Sequence, residues 1–266
     1  MSRSSAARPW FLVIPGVIAL AFLVVPLLVL LWQAPWGSFA SIVTSPTALE
    51  ALRLSLFTSL LATALSCLVG IPLAWLLARE VLPATNVLRA FVIVPLLLPP
   101  VVSGVALLAA FGRRGSIGGA LYSAFGIQLP FTTAGVVLAE AFVAMPFLII
   151  TLEGGFRSLD RRYEDAAMTL GASSWTVFRR ITLPLVGPSL IAGAVLCWAR
   201  ALGEFGATIT FAGNFPGVTQ TMPLAVYTAL ESDRSVAIAL SIILLVVSVG
   251  VLVALRGRYM RPAVSS

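Results

Sequence analysis

Six stretches of this chain stay apolar for about 20 residues or more, the length at which a helix crosses the roughly 30 Å hydrocarbon core of a bilayer. They are residues 10–31, 54–78, 90–111, 131–152, 185–208 and 236–255. The second, third and sixth hold no charge; the fourth carries Glu140 and the fifth Arg200 and Glu204. This pattern predicts an all-α polytopic membrane protein with six transmembrane helices. Composition agrees, since 59% of the 266 residues are hydrophobic and 10% charged, whereas soluble domains carry about a quarter charged residues. Prolines recur inside the spans (Pro15, Pro26, Pro72, Pro95, Pro99, Pro100, Pro146) and predict kinked helices, either lining a pathway or serving packing alone.

The charge inventory removes much chemistry. All 17 basic residues are Arg, with no Lys and no His. A P-loop lysine, a Schiff-base lysine, a histidine metal ligand and a Ser-His or Cys-His nucleophile are therefore excluded. The chain is expected to bind no cofactor or metal and to hydrolyse no ATP itself. Cys67 and Cys197 both fall in apolar runs and read as small hydrophobes, not as a disulfide.

Arginines distribute unevenly between alternate segments. One side holds Arg3, Arg8, Arg79, Arg89, Arg157, Arg161, Arg162, Arg179, Arg180, Arg256, Arg258 and Arg261; the other holds Arg53, Arg113, Arg114 and Arg234. Positive residues concentrate in cytoplasmic loops, so both termini are expected in the cytoplasm. The net charge of +7 reflects this bias and forms no basic stripe for nucleic acid. The first span is longer than a signal-peptide core and lacks a clear small-x-small cleavage site, so it reads as an uncleaved anchor in the cell membrane. The expected organisation is residues 1–53 as an N-terminal helix and external loop, 54–255 as the transmembrane core, and 256–266 as a short basic cytoplasmic tail.

Between the fourth and fifth spans lies a soluble loop, residues 153–183. Leu159, Tyr163, Ala166, Ala167 and Leu170 recur at helical spacing, with Asp160, Arg161, Arg162, Glu164 and Asp165 around the rest. Ala166 and Ala167 keep one face thin, Gly171 permits a sharp exit, and Trp175, Phe178 and Ile181 form a second apolar stripe before Leu183-Pro184. Periodicity fits a docking helix and equally a helix lying on the lipid interface.

The string Asp165-Ala166-Ala167, with Gly171 and then Ile181-Thr182-Leu183-Pro184, resembles the EAA loop of bacterial ABC importer permeases. That resemblance implies that Tyr163, Glu164, Asp165, Ala166, Ala167, Leu170, Gly171, Ile181, Leu183 and Pro184 couple the chain to a cytoplasmic ATPase. Asp165 stands where the family usually has Glu, and Glu164 adjoins it. The segment from Ala201 to Asn214, with Gly203-Glu204-Phe205-Gly206 at its start, and the later Pro223-Leu224-Ala225-Val226-Tyr227 resemble the molybdate members of the molybdate/sulfate permease group. Together the resemblances run over residues 54–255. They imply a type I importer fold, a homodimer of permease copies, two copies of a separate ATPase that consumes the ATP, and an extracytoplasmic oxyanion-binding protein.

Charges inside a membrane are costly and point to function by default. Arg200 and Glu204 are four apart and share a helix face, and Glu140 is a candidate third member. Their sum is minus one, the wrong sign for holding a tetrahedral oxydianion, so the group reads as a gate or a structural brace. Gly203 and Gly206 flank Glu204 and suit a constriction between two copies of the helix. Thr208, Thr210, Ser103 and Thr151 are hydroxyls available to pass an anion along. A secondary transporter would be expected to show a repeat and charged midplane sites, and an intramembrane enzyme a nucleophile or carboxylate pair with its partner motif. Sulfate or thiosulfate is the alternative substrate, and tungstate is not distinguished from molybdate.

Overall fold

The computed structural model describes residues 10–259, which are helical with no strand among them. Residues 1–9 and 260–266, with Arg3, Arg8, Arg261 and part of the expected basic tail, lie outside the described residues. The first helix, α1 (Trp10–Trp32), is apolar all round and buries none of its residues, as a helix surrounded by hydrocarbon should. A single turn, α2 (Phe39–Val43), leads to α3 (Pro46–Ala78). Ser45 caps α3 by accepting the Ala48 N–H at 3.3 Å, and Pro46 takes the first position, where its missing N–H costs nothing. The apolar pattern starts this span at Leu54, yet the helix runs two turns further out. Glu50 and Arg53 interrupt the hydrophobicity without disfavouring helix. At 33 residues it is about 50 Å long and projects well beyond the hydrocarbon.

Residues 90–111, expected as one kinked span, form two half-length helices, α4 (Thr85–Leu97) and α5 (Pro100–Phe111), bent by 116°. The Pro99-Pro100 pair is the cause. Each proline drives the residue before it out of the α region, so Leu98 (ψ 135°) and Pro99 (ψ 136°) are extended and Pro100 starts a new helix. A short helix, α6 (Ser116–Phe125), precedes α7 (Thr133–Ser158), which Thr132 caps by accepting the Gly135 N–H at 3.1 Å.

The following loop is built from α8 (Arg162–Thr169), α9 (Ser174–Val177), a π-turn (Phe178–Thr182) and α10 (Leu183–Leu185). Its last part, Ser174–Leu185, meets α11 (Gly187–Leu202) at 71°. The fifth span, expected to continue to Thr208, stops at Leu202. Gly203, Glu204 and Phe205 break it, and α12 (Gly206–Ala212) begins afresh. Then come α13 (Met222–Ser232) and α14 (Arg234–Tyr259).

The core is α7 flanked by α3 and α11, which also pack on each other. Lipid tails are as apolar as leucine, so helices in a membrane associate through close packing of small residues. Ala62, Ala74, Ala141, Ala144 and Ala201 are fully buried in this seam, with Leu148, Leu152 and Phe156 filling it. A Cβ on Gly155 would lie 2.6 Å from Ser189, so α7 and α11 touch almost backbone to backbone there. Cys67 and Cys197 are free thiols packed in the same region.

Candidate functional site

Two constellations gather the singled-out residues, and each centres on an arginine–glutamate pair. The first is in the loop. On α8 the usual amphipathic arrangement is inverted: Tyr163 is 59% exposed and Leu170 89%, while Glu164 turns inward. Both Glu164 carboxylate oxygens accept from Arg79 Nη2, at 2.7 and 2.6 Å, and Oε1 also accepts from the Thr182 hydroxyl at 2.6 Å. Thr182 is buried, and the two charged side chains are nearly so, at 9% for Arg79 and 13% for Glu164. Glu164 thus joins the end of α3, α8 and the π-turn. Asp165 and Ala166 are exposed and Ala167 is half-buried. Leu159, which the spacing groups with Tyr163 and Leu170, packs instead into the core beside α7.

Gly171 has φ +86°, a conformation that glycine adopts freely, with open space around it; its N–H donates to the Met168 carbonyl as α8 ends. Trp175 stacks on Phe178 at 6.1 Å, and Phe178 meets Trp75 of α3 edge-on at 6.4 Å. Ile181 and Leu183 are half-buried and Pro184 exposed. Beside this junction Arg89 Nε binds Glu153 at 2.6 Å and its Nη2 reaches the Leu77 carbonyl at 2.9 Å and Glu80 at 3.2 Å, while Arg157 approaches both acids. This cluster ties the start of α4 to the ends of α3 and α7.

The second constellation is the break after α11. Arg200 Nη2 lies 2.6 Å from Glu204 Oε2, and Glu204 Oε1 accepts the Ala207 N–H at 2.7 Å. Glu204 is 1% exposed, and Arg200 keeps 29% of its side chain open. The carboxylate therefore serves two neighbours: it neutralises the arginine of the preceding helix and satisfies a free amide of the next. Glu140 makes no hydrogen bond or ion pair with either residue of this pair. It is buried on α7 and accepts the Thr58 hydroxyl of α3 at 2.9 Å.

The close approach at Gly206 comes from within the chain, where a Cβ would fall 2.5 Å from the Pro100 Cβ of α5. Gly203 has no such neighbour: its Cβ would meet the Ala199 carbonyl at 3.6 Å, and the residue is exposed. Four hydroxyls stood as passage candidates. Thr151 and Thr210 donate to the carbonyls of Phe147 and Gly206 on their own helices. Ser103 and Thr208 are fully buried with no partner for their hydroxyls.

Arg79, Thr182, Thr58 and Pro100 take parts in these two sites that the sequence did not assign to them. Thr182 sat unremarked within the Ile-Thr-Leu-Pro string. The other three belong to distant helices: Arg79 showed as a charge closing an apolar run, Pro100 as a proline expected to bend its span, and Thr58 not at all.

A helical bundle with broken half-helices and an apolar helix face held outward on a loop is the architecture of a membrane-spanning transport permease. The chain belongs to the binding-protein-dependent transport system inner membrane component family, which matches residues 70–266. It is 45% identical over 240 residues to the molybdenum transport system permease protein ModB of Mycobacterium tuberculosis, covering 90% of each chain. It is 34% identical over 217 residues to the sulfate transport system permease protein CysT of Escherichia coli, covering 81% of this chain and 78% of that one. A solved bacterial ABC transporter involved in import of the polysaccharide alginate has the same fold, with TM-score 0.72 at 19% identity over 96% of this chain and 95% of that one. The protein is thus a multi-pass membrane protein with the type I ABC importer permease fold.

Proposed function

We propose that this chain is the permease subunit of an ATP-driven importer carrying molybdate, and tungstate of the same shape, into the cytoplasm by alternating access. The observation that carries the reading is α8: an apolar face, with Tyr163 and Leu170 outward, held at a fixed place by the buried Glu164 junction. Exposed apolar patches on an ordered helix mark interaction sites. Its partner is a cytoplasmic ATPase, two copies to a permease homodimer, with Asp165, Ala166 and Gly171 forming the contact and the turn out of it. The ATPase binds the nucleotide, and this chain carries no cofactor. An extracytoplasmic oxyanion-binding protein delivers the substrate, and both termini lie inside.

The Arg200–Glu204 pair fits a gate or brace in preference to a binding pocket, because both carboxylate oxygens are already engaged within the chain. Glu140, Gly203 and Gly206 support this region through Thr58, an exposed turn and α5 respectively. Passage of the dianion then falls to neutral donors; Ser103 and Thr208 have unpaired hydroxyls, which meet the anion only when the helices that bury them part. The molybdate relative is closer in sequence than the sulfate one, 45% against 34%.

The test is uptake by proteoliposomes holding permease, ATPase and the cognate binding protein. ATP-dependent accumulation of molybdate, blocked by tungstate and little affected by tenfold excess sulfate, is the expected result. Accumulation of sulfate in preference to molybdate would replace the substrate and leave the permease reading standing.

A further inference from the structure

We propose that Arg79 and Glu164 are positioning residues that deliver movement of α8 to α3, and that α3 carries it to the far side of the core. The inference rests on the reading that α8 meets the ATPase. It adds a route to that reading: through a charge pair to a helix 85 residues away in sequence, in addition to the chain connections into α7 and α11.

The geometry has three parts. First, the link is stiff. Glu164 receives three hydrogen bonds from two partners, all between 2.6 and 2.7 Å, in a nearly closed site. Charge-assisted bonds of this kind are short and strong. Breaking them without replacement strands an ion away from water. Second, α8 itself packs chiefly on α9 and the π-turn, not along a membrane helix. Its grip on the bundle therefore depends on side-chain ties, of which this one reaches furthest. Third, α3 runs unbroken from Pro46 to Ala78, with Pro72 inside it, and polar ties occur again in the half of the helix away from Arg79. Thr58 donates to Glu140 of α7 at 2.9 Å, and the Ser55 hydroxyl accepts the Met222 N–H at the start of α13 at 2.7 Å. From Arg79 to Thr58 is about 30 Å along the helix axis. An unbroken helix tied at one end and again about 30 Å along its axis can carry a displacement between the two places, and packed interfaces that have two arrangements turn such small shifts into larger rearrangements.

A merely structural pair would lower stability and nothing else, so the readout is the ratio of substrate imported to ATP hydrolysed, measured in reconstituted complexes. Glu164→Gln and Arg79→Gln should each lower that ratio by about tenfold, the range of ordinary coupling energies, while the ATPase still co-purifies in normal amount. Arg79→Lys, which keeps the charge, should retain most of it. The reversed pair, Arg79→Glu with Glu164→Arg, should recover much of what either single reversal loses. Single variants with the wild-type ratio would overturn the inference and leave the proposed function intact. Loss of ATPase binding in Glu164→Gln would also overturn it, by making Glu164 part of the contact surface. Wild-type complexes whose hydrolysis ignores the loaded binding protein would overturn the proposed function itself and the inference with it.

Discussion

The arginine–glutamate pairs at the centres of the two constellations have the same length, 2.6 Å, yet they sit in opposite kinds of place. Arg200 and Glu204 are four residues apart on one strand of chain, and their contact shapes a local break between α11 and α12. Arg79 and Glu164 are 85 residues apart and join the end of α3 to α8. A local pair decides which backbone conformation a segment takes. A distant pair decides which elements move as one. The stability of the chain should therefore depend more on the first, and its coupling to a partner more on the second.

The largest expected effect follows from that contrast. Glu204→Ala removes the counterion of Arg200 and the acceptor of the Ala207 N–H together, and it should cost roughly 3 kcal/mol, at the low end for a broken buried pair because Arg200 is partly open. Denaturation in detergent measures this. Glu164→Gln keeps an amide oxygen for Thr182 and Arg79 but leaves the nearly buried guanidinium without its counter-charge, and should cost about 2 kcal/mol in the same assay. Neutralising Arg200 and Glu204 together should cost less than the sum of the two single changes, because no charge is then stranded. If Glu164→Gln proved the more destabilising of the two, the division between local and distant roles would be wrong.

The same contrast explains how far the sequence could be read. Spans and the α8 helix were visible because length, apolarity and a 3.6-residue period are local properties. The break at Pro99-Pro100 was half visible: two adjacent prolines guarantee an interruption, but a kink of a few degrees and a turn of 116° share the same local signal. The partners of Glu140, Glu164 and Gly206 were invisible, since each is supplied by a helix far off in the chain. Thr58 donates to Glu140, the candidate third member of the Arg200 group, and Pro100 lies against Gly206, whose lack of a side chain also suits approach by a second copy. The acid of the loop shows the limit best. Motif spacing pointed to Asp165, whereas burial belongs to its neighbour, because a shift of one residue turns a helical side chain by about 100°.

Smaller effects separate the two glycines around Glu204. Gly206→Ala places a Cβ 2.5 Å from the Pro100 Cβ, and α5 must shift, at a cost of about 1–3 kcal/mol. Gly203→Ala meets only the Ala199 carbonyl at 3.6 Å with an ordinary φ of −91°, and should change stability by less than about 0.5 kcal/mol. Melting curves of the purified variants compare them directly. Equal losses at both positions would mean that the break itself requires glycine, and that the contact between α5 and α12 is not what constrains Gly206.

The smallest effect on the chain alone should come from Asp165, and it sharpens the loop comparison most. Asp165 is exposed, its carboxylate has no hydrogen-bond or ion-pair partner among the described residues, and it sits in the first turn of α8, where a negative charge favours the helix slightly. Asp165→Asn should therefore leave stability within about 0.5 kcal/mol of the parent, in contrast to changes at Glu164. If α8 docks as proposed, the free carboxylate is the acid available to a basic group on the ATPase, and affinity for that subunit should fall in a salt-dependent way, the difference from the parent shrinking as ionic strength rises. Titrating ATPase onto immobilised permease at low and high salt measures both quantities. A salt-independent loss would show that Asp165 acts through its shape, and an unchanged affinity would remove it from the contact and leave the apolar face of Tyr163, Ala166 and Leu170 to carry the docking.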